Sequence, residues 1–328
     1  MIQPLVDNHG RRMNYLRLAV TDRCNLRCRY CMPAKGVTSM RRDEILTWEE
    51  LHRLCRIFVE LGVEKIRITG GEPFVRKGLL PFLMELSYLP DRPEIDITTN
   101  GTLLADHLDA LKQIGVRRLN VSLDSLNADT FYTITRRWNF EKILQAINKA
   151  DTLGFKVKIN VVVIAGINDH EIPDFVRLTR DRKWTVRFIE PMPFDGAGGR
   201  YKSLLSGDDI LARLRRQFDV EPVSNGKLAV AKLFRVPDFQ GHIGIIYGYS
   251  RRFCDACSRL RLSTRGELWT CLYGGPVLDL GALLRTGKSD GTIKHAIRGA
   301  VDERLSDGFE AERSHQSSTF DSMVAIGG

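Results

Sequence analysis

Long apolar runs are missing from this sequence. No stretch comes near the ~18 unbroken apolar residues of a membrane span, so no membrane partner is expected. Blocks of five or six like charges are missing too, although 49 basic against 40 acidic residues leave a net charge of +9. Such a balance suits an anionic partner, of which a polyphosphate is one kind. Basic residues are not interleaved with aromatics as a single-strand nucleic-acid surface requires, so no nucleic-acid partner is expected. The first residues, MIQPLVDNHGRRMNYLRLAV, show no basic segment leading into an apolar core and a small-residue cleavage site, and no signal peptide is expected. Histidine is scarce, at seven. Cysteine is equally scarce, at seven, but it is not scattered. Cys24, Cys28 and Cys31 form one group, Cys254, Cys257 and Cys271 another, and Cys55 stands alone. Two local groups fit metal ligation in a reducing compartment, the cytoplasm, better than a disulfide framework.

What is present is alternation. Strand-like runs occur at Leu16–Val20, Lys65–Thr69, Glu94–Thr99, Arg118–Leu123, Lys156–Val163 and Thr185–Glu190, mostly separated by segments of helical period. The clearest helix is TWEELHRLCRIFVELG, with Thr47 and Glu50 forming a capping box and Gly62 ending it. Cys55 falls on its apolar stripe and reads as a buried thiol. Six βα units in series predict a parallel sheet, open or curled into a barrel, with its site at the carboxyl ends of the strands. The chemically suggestive motifs lie there. The first cysteine group follows the first strand, TGGEP the second, TTNG the third, SLD the fourth and EPMP the sixth. Beyond residue 195 the pattern changes: a DGAGGR connector, a short helix at Asp208–Arg216, strand-like GKLAVAKLFRV and GHIGIIYGY, then helical segments near 277–285 and 291–305. The expected division is therefore a partial barrel over 1–195 and a smaller α+β module over 196–328.

The first group has the spacing C-x3-C-x2-C. Zinc would need a fourth ligand, and His9 and His52, the nearest histidines, lack the local spacing of a zinc site. A 4Fe–4S cluster on three thiolates keeps one iron open for a small molecule. The second group, FCDACSRLRLSTRGELWTC, again offers three ligands. It fits half a zinc ribbon, an electron relay or a second open-iron cluster that binds substrate. Arg259 and Arg261 alternate beside it, so on a strand both guanidiniums share one face, and their forks suit phosphate oxygens.

C-x3-C-x2-C with Tyr30 before the third cysteine, together with GGEP, resembles the radical S-adenosylmethionine (SAM) superfamily. The two clusters with SRLRL, KIRITGGEP, TTNGTLL, LNVSLDSL, KVKINVVV, VRFIEPMP, GHIGIIYGYSRRFCDACSRLRLS and the terminal IGG resemble the GTP 3′,8-cyclase family over nearly the whole chain. That resemblance implies an incomplete (β/α)6 barrel with a C-terminal iron–sulfur module. It implies SAM bound through its amino and carboxylate groups to the open iron and cleaved to a 5′-deoxyadenosyl radical. The radical would take hydrogen from C3′ of GTP; C3′ would attack C8 and give (8S)-3′,8-cyclo-7,8-dihydroguanosine 5′-triphosphate, the first step of molybdenum-cofactor biosynthesis. Two 4Fe–4S clusters are implied, one on Cys24, Cys28 and Cys31, the other on Cys254, Cys257 and Cys271. Tyr30, Gly71, Ser122 and Met192 would contact SAM. Arg17, Arg67, Thr98, Lys158, Arg259, Leu260 and Arg261 would contact GTP, with Lys65 and Arg187 as further basic positions. Arg17, Arg259, Arg261, Gly327 and Gly328 would act in catalysis, the tail reaching into the site beside Arg17. An external flavodoxin- or ferredoxin-type electron donor and transfer of the product to cyclic pyranopterin monophosphate synthase are implied; monomer or homodimer stays open. Pro191, Ser258 and RRWNF (Arg136–Phe140) depart from the family pattern. The alternative reading is a radical SAM peptide-modifying enzyme with an auxiliary cluster.

Overall fold

The computed structural model describes residues 4–192, 205–224, 230–250, 254–315 and 323–327. The DGAGGR connector, Pro193 and Gly328 lie outside them. The first half alternates as the sequence predicts: β1 (Tyr15–Ala19), α1 (Trp48–Glu60), β2 (Lys65–Thr69), α2 (Leu79–Ser87), β3 (Glu94–Thr99), α3 (Leu108–Ile114), β4 (Arg118–Ser122), α4 (Ala128–Thr135), α5 (Phe140–Thr152), β5 (Lys156–Val162), α6 (Ile172–Arg177) and β6 (Thr185–Ile189). Thr47 and Glu50 close the expected capping box on α1, and Gly62 follows it at φ 93°. Cys55 is fully buried.

The second half adds α7 (Gly207–Arg215), β7 (Glu221–Val223), β8 (Ala231–Arg235), β9 (His242–Ile246), β10 (Arg259–Leu262), β11 (Glu267–Trp269), β12 (Leu278–Asp279), α8 (Leu280–Arg285), α9 (Asp290–Asp302), α10 (Gly308–Ser314) and α11 (Met323–Ile326). All twelve strands form one open sheet, ordered β12-β11-β10-β1-β2-β3-β4-β5-β6-β9-β8-β7. β10 lies parallel to β1, with Arg17 opposite Arg261, and β9 lies parallel to β6. The C-terminal segment thus continues both edges of the partial barrel, which the sequence reading did not foresee.

The two faces of the barrel strands differ in kind. Leu16, Leu18, Ile66, Ile68, Ile97, Leu119, Val121, Val157, Ile159, Val186 and Phe188 point outward into one core beneath the helices. The alternate residues line an inner cavity of about 710 Å³, within the roughly 300–1,000 Å³ usual for a ligand site. A closed eight-stranded barrel fills that space with branched apolar side chains; this one fills its wall with arginine, lysine, asparagine and threonine. Among the described residues no helix is long and apolar enough to cross a membrane.

Candidate functional site

The loop after β1 carries Cys24, Cys28 and Cys31, all half-buried, and the motifs of the neighbouring strands hold it in place. Glycine is required in GGEP because the loop backbone presses on it: a Cβ would stand 2.3 Å from the Thr21 carbonyl at Gly70 and 2.3 Å from the Arg23 carbonyl at Gly71. Those carbonyls accept from the amides of Gly71 (Thr21, 2.7 Å) and Glu72 (Arg23, 2.8 Å). Glu72 is fully buried and accepts from the Thr99 hydroxyl (2.9 Å) and the Asn100 amide (2.6 Å). The Asn100 carboxamide in turn donates to Asn25 Oδ1 at 2.8 Å and to the Cys24 sulfur at 3.7 Å. On the far side, the Tyr30 hydroxyl donates to Asp124 at 2.8 Å, and Asp124 also accepts from the Val162 amide at 2.9 Å. The sequence reading quoted these motifs but assigned no role to Glu72, Asn100 or Asp124.

Donors such as Asn100 at Cys24 do not offset burial here. Burial raises Cys28 well above the usual thiol range, with Asp124 and the other two cysteines adding to it. Burial and Cys24 push Cys31 up to about 12. Burial also raises Cys24. Asp124 itself rises to about 6 through burial, against the pull of its two donors.

The second triad sits in a different field. Two buried arginines grip its backbone. Arg11 donates to the Cys254 carbonyl at 3.2 Å, and Arg304 donates to the carbonyls of Cys257 (2.7 Å) and Thr270 (2.9 Å), the residue before Cys271. Both arginines converge on Asp7, whose carboxylate lies 2.6 Å from Arg11 and 3.4 Å from Arg304 and whose side chain is fully buried. Burial alone would raise the Cys257 thiol, but Arg259 and Arg304 outweigh it and hold it at about 6. Burial raises Cys254.

Among the described residues no three His, Cys, Asp or Glu side chains converge closely enough to hold a single metal ion. A tetrahedral zinc would draw its sulfurs to within about 3.8 Å of one another. Yet within each triad the thiols are near enough for one to raise another. Each triad offers three neighbouring thiols, a donor set of the kind that iron–sulfur clusters take.

Between the triads the cavity wall is cationic. Arg17, Arg67, Lys158, Arg187, Arg259 and Arg261 line it, as do Lys65 and Thr98. Burial lowers Arg17 to about 10, Arg187 to about 9 and Lys158 to about 8, neighbouring cations adding to the effect. Arg67 and Lys65 share the buried Asp96, 2.5 and 2.6 Å away, a counter-charge the sequence reading overlooked. Arg187 Nε and one terminal nitrogen, and the side-chain oxygens of Asn120 and Asn160, are buried without a hydrogen-bond partner. Buried polar atoms of this kind call for a partner, here a polar, anionic ligand.

Most sequence-chosen residues meet in this one cavity, including Tyr30, Gly71, Ser122, Met192, Cys24, Cys28 and Cys31. Cys254, Cys257 and Cys271 line an adjoining pocket that shares Arg259, Arg261 and Leu272 with it. Leu260 is the exception: its side chain faces the core, and only its backbone runs along the site. Lys156 lies on the same side of β5 as Lys158 but at its exposed start, and only Lys158 lines the cavity. Gly327 does reach the site. Its carbonyl accepts from Arg17 (3.3 Å) and Arg261 (2.5 Å), and at φ 77° it packs so closely that a Cβ would stand 2.5 Å from the Thr69 methyl.

A parallel partial barrel with three cysteines on the loop after its first strand, facing a hollow polar interior, defines a radical SAM enzyme. The sequence pattern of the Radical SAM superfamily matches residues 18–179, and that of Molybdenum Cofactor Synthesis C matches 184–309. The chain is 46% identical to the GTP 3′,8-cyclase of Geobacter sulfurreducens over 86% of this chain and 87% of that one. It is 44% identical to the GTP 3′,8-cyclase of Peptoclostridium acidaminophilum over 90% of each. Against human Molybdenum cofactor biosynthesis protein 1 it is 41% identical over 90% of this chain, spanning 47% of that longer protein. The chain belongs to the GTP 3′,8-cyclase family. Among solved structures, Streptococcus suis SuiB bound to S-adenosylmethionine superposes with a TM-score of 0.60 at 14% identity, over 87% of this chain and 69% of that one, a likeness of fold. As a radical SAM enzyme the chain uses a 4Fe–4S cluster and SAM.

Proposed function

We propose that the chain converts GTP to (8S)-3′,8-cyclo-7,8-dihydroguanosine 5′-triphosphate, the first step of molybdenum-cofactor biosynthesis, within this single cavity. One observation carries the reading: Cys24, Cys28 and Cys31 at one end and Arg259 and Arg261 at the other line the same polar space. Cys24, Cys28 and Cys31 would hold the SAM cluster. Cys254, Cys257 and Cys271 would hold a second 4Fe–4S cluster whose open iron takes the guanine. At the first triad, the cluster with SAM would supply the 5′-deoxyadenosyl radical chemistry: one hydrogen atom would leave C3′ of GTP for 5′-deoxyadenosine, C3′ would bond to C8, and one electron and one proton would complete the 7,8-dihydro product.

The chain's own residues position and neutralise. Tyr30, fixed by Asp124, Gly71, Ser122 and Met192 border the SAM end. Arg17, Arg67, Thr98, Lys158, Arg259 and Arg261, with the Leu260 backbone, face the triphosphate, and Arg187 and Lys65 extend the cationic wall. Charge-assisted bonds from such buried forks are the strong ones, and the wall keeps water from a reactive intermediate. Arg17 and Arg261 also hold the Gly327 carbonyl, which puts Gly327 among the proposed substrate contacts; Gly328 is assigned a catalytic role with it. In this reading 1–195 forms the radical module and 196–328 the substrate module. A flavodoxin- or ferredoxin-type protein supplies electrons in the cytoplasm, and the product passes to cyclic pyranopterin monophosphate synthase.

The test is anaerobic incubation of the iron-loaded protein with SAM, a reductant and GTP, read by mass spectrometry. A product isomeric with GTP, formed together with 5′-deoxyadenosine, is expected. SAM cleavage with GTP recovered unchanged would overturn the assignment.

A further inference from the structure

The RRWNF stretch, absorbed by none of the roles above, lies against the loop of the first triad. Arg136 ends α4 in the left-handed region at φ 57°. Its guanidinium donates to the carbonyls of Arg27 (2.6 Å) and Met32 (3.3 Å). The backbone amides of Arg27 and Arg29 donate to the carbonyls of Thr135 (3.0 Å) and Ile134 (2.9 Å). The end of α4 is therefore bonded on both sides to the segment that holds Cys24, Cys28 and Cys31.

α4 has one face toward the cavity and another toward solvent. Phe131 and Thr135 line the cavity alongside the three cysteines. Tyr132 points the other way and stacks on Trp138, with ring centroids 4.3 Å apart and planes 12° from parallel. The stack stays in solvent, Tyr132 at 41% and Trp138 at 65% exposure. Cations are grouped nearby: Arg136 and Arg137 precede Trp138 in the chain, Arg27 and Arg29 lie in the loop segment bonded to the end of α4, and Lys35 precedes Gly36, which packs on the Arg27 side chain. Among the described residues none of the five is paired with a carboxylate. An exposed aromatic anchor inside a rim of uncompensated positive charge has the composition of a docking site for an acidic protein.

We propose that the Tyr132–Trp138 stack and its ring of arginines dock an acidic one-electron carrier protein, of the flavin or iron–sulfur kind, that reduces the cluster held by Cys24, Cys28 and Cys31. The surface rests on the functional reading of that triad. In each event the carrier loses one electron and the cluster gains it, going from the 2+ to the 1+ state, with no proton or atom transferred. The electron has about one helix diameter, ~10 Å, to cross from the stack to the cavity wall. A nucleic acid would also find cations and aromatics here, but the hydrogen bonds from this patch to the cluster loop favour the electron carrier.

The experiment compares two reductants on the full-length, iron-loaded wild type, Trp138→Ala and Arg137→Glu, reading 5′-deoxyadenosine. Dithionite needs no docking; a purified acidic flavodoxin, kept reduced by its NADPH-dependent reductase, does. Each variant is expected to lose about tenfold or more of the flavodoxin-driven rate, as for truncation of an interface anchor or reversal of a steering charge, and to keep the dithionite-driven rate. Titration of oxidised flavodoxin should show the same loss in binding, independently of catalysis. Unchanged flavodoxin binding and rate in both variants would overturn the proposal. So would an equal fall with both reductants, which would mark the patch as a support for the cluster loop. Oligonucleotide binding lost in the variants, with flavodoxin binding retained, would make it a nucleic-acid surface instead. Failure of the wild type to cleave SAM with dithionite would overturn the functional reading, while the titration would still decide the surface.

Discussion

One cysteine triad lines the cavity and the other an adjoining pocket, and Cys257 of the second lies in a different electrostatic setting from the first three. Cys24, Cys28 and Cys31 share their loop with buried carboxyls, Asp124 and Glu72, and burial holds all three thiols above their usual range. Cys257 is nearly as enclosed, but Arg259 and Arg304 stand beside it and bring it down to about 6. At the first triad the protein invests in shape, and binding of iron must displace the protons. At the second, charge favours the Cys257 thiolate, and one of the two guanidiniums responsible, Arg259, also lines the cavity. A cationic SAM and a polyanionic GTP would each find the matching end.

The largest effect should come from removing one ligand at each end. Cys28→Ala is expected to abolish 5′-deoxyadenosine formation altogether. Cys257→Ala is expected to retain slow, uncoupled SAM cleavage while losing cyclisation. Identical phenotypes would erase the distinction between the triads.

Next is the clamp of Asp7, Arg11 and Arg304. Removing one member of a buried ion pair typically costs about 3–5 kcal/mol, and loss of groups that orient ligands costs about 10–100-fold in metal affinity. Arg304→Met should therefore leave the first cluster in place and lower iron from about eight to about four per chain. Loss of iron from both triads in equal measure would contradict the local role. Asp7 sharpens the point through pH. Burial would raise its pKa, but its bonds from Arg11 dominate and hold it below the ordinary 3.8. A depressed carboxyl stabilises the fold above its unfolded pKa, and the contribution is lost as pH falls through the folded value. Asp7→Asn should therefore flatten the acid limb of unfolding below about pH 4.

A smaller structural change tests the tail. Deleting Gly327–Gly328 should leave iron content and thermal stability unchanged and stop cyclisation, because Arg17 and Arg261 lose the Gly327 carbonyl. Full activity of the truncated chain would remove the tail from the site. The subtlest test needs no mutation. In iron-free protein at pH 7, iodoacetamide should label Cys257 well before Cys31, since the first thiol sits at about 6 and the second at about 12. Equal labelling would mean that the arginines do not set the difference.

Much of this was legible from period and spacing. The six barrel strands lie within a residue of their expected ends because inner polar and outer apolar side chains alternate, as in KIRIT and RLNVS. The first triad was legible because its ligands are local in sequence. What escaped was long-range. Asp7, Arg11 and Arg304 are joined across nearly the whole chain, and nothing in DNHGRR marks a partner near residue 304. β10 carries two arginines in four residues and pairs with β1 from some 240 residues away, so no local signal placed it beside the first strand of the partial barrel. Gly71 was expected only as a SAM contact; the backbone of Thr21 and Arg23 also packs against Gly70 and Gly71.

The central claim is that SAM and GTP meet in the one cavity that the first triad lines and the second adjoins. GTP deuterated at C3′, given with SAM and a reductant to the iron-loaded enzyme, tests it most directly through the mass of the 5′-deoxyadenosine released. One deuterium in that product is the predicted result. Unlabelled 5′-deoxyadenosine would contradict the account, leaving a radical SAM enzyme that takes its hydrogen elsewhere and bringing the peptide-modifying alternative forward.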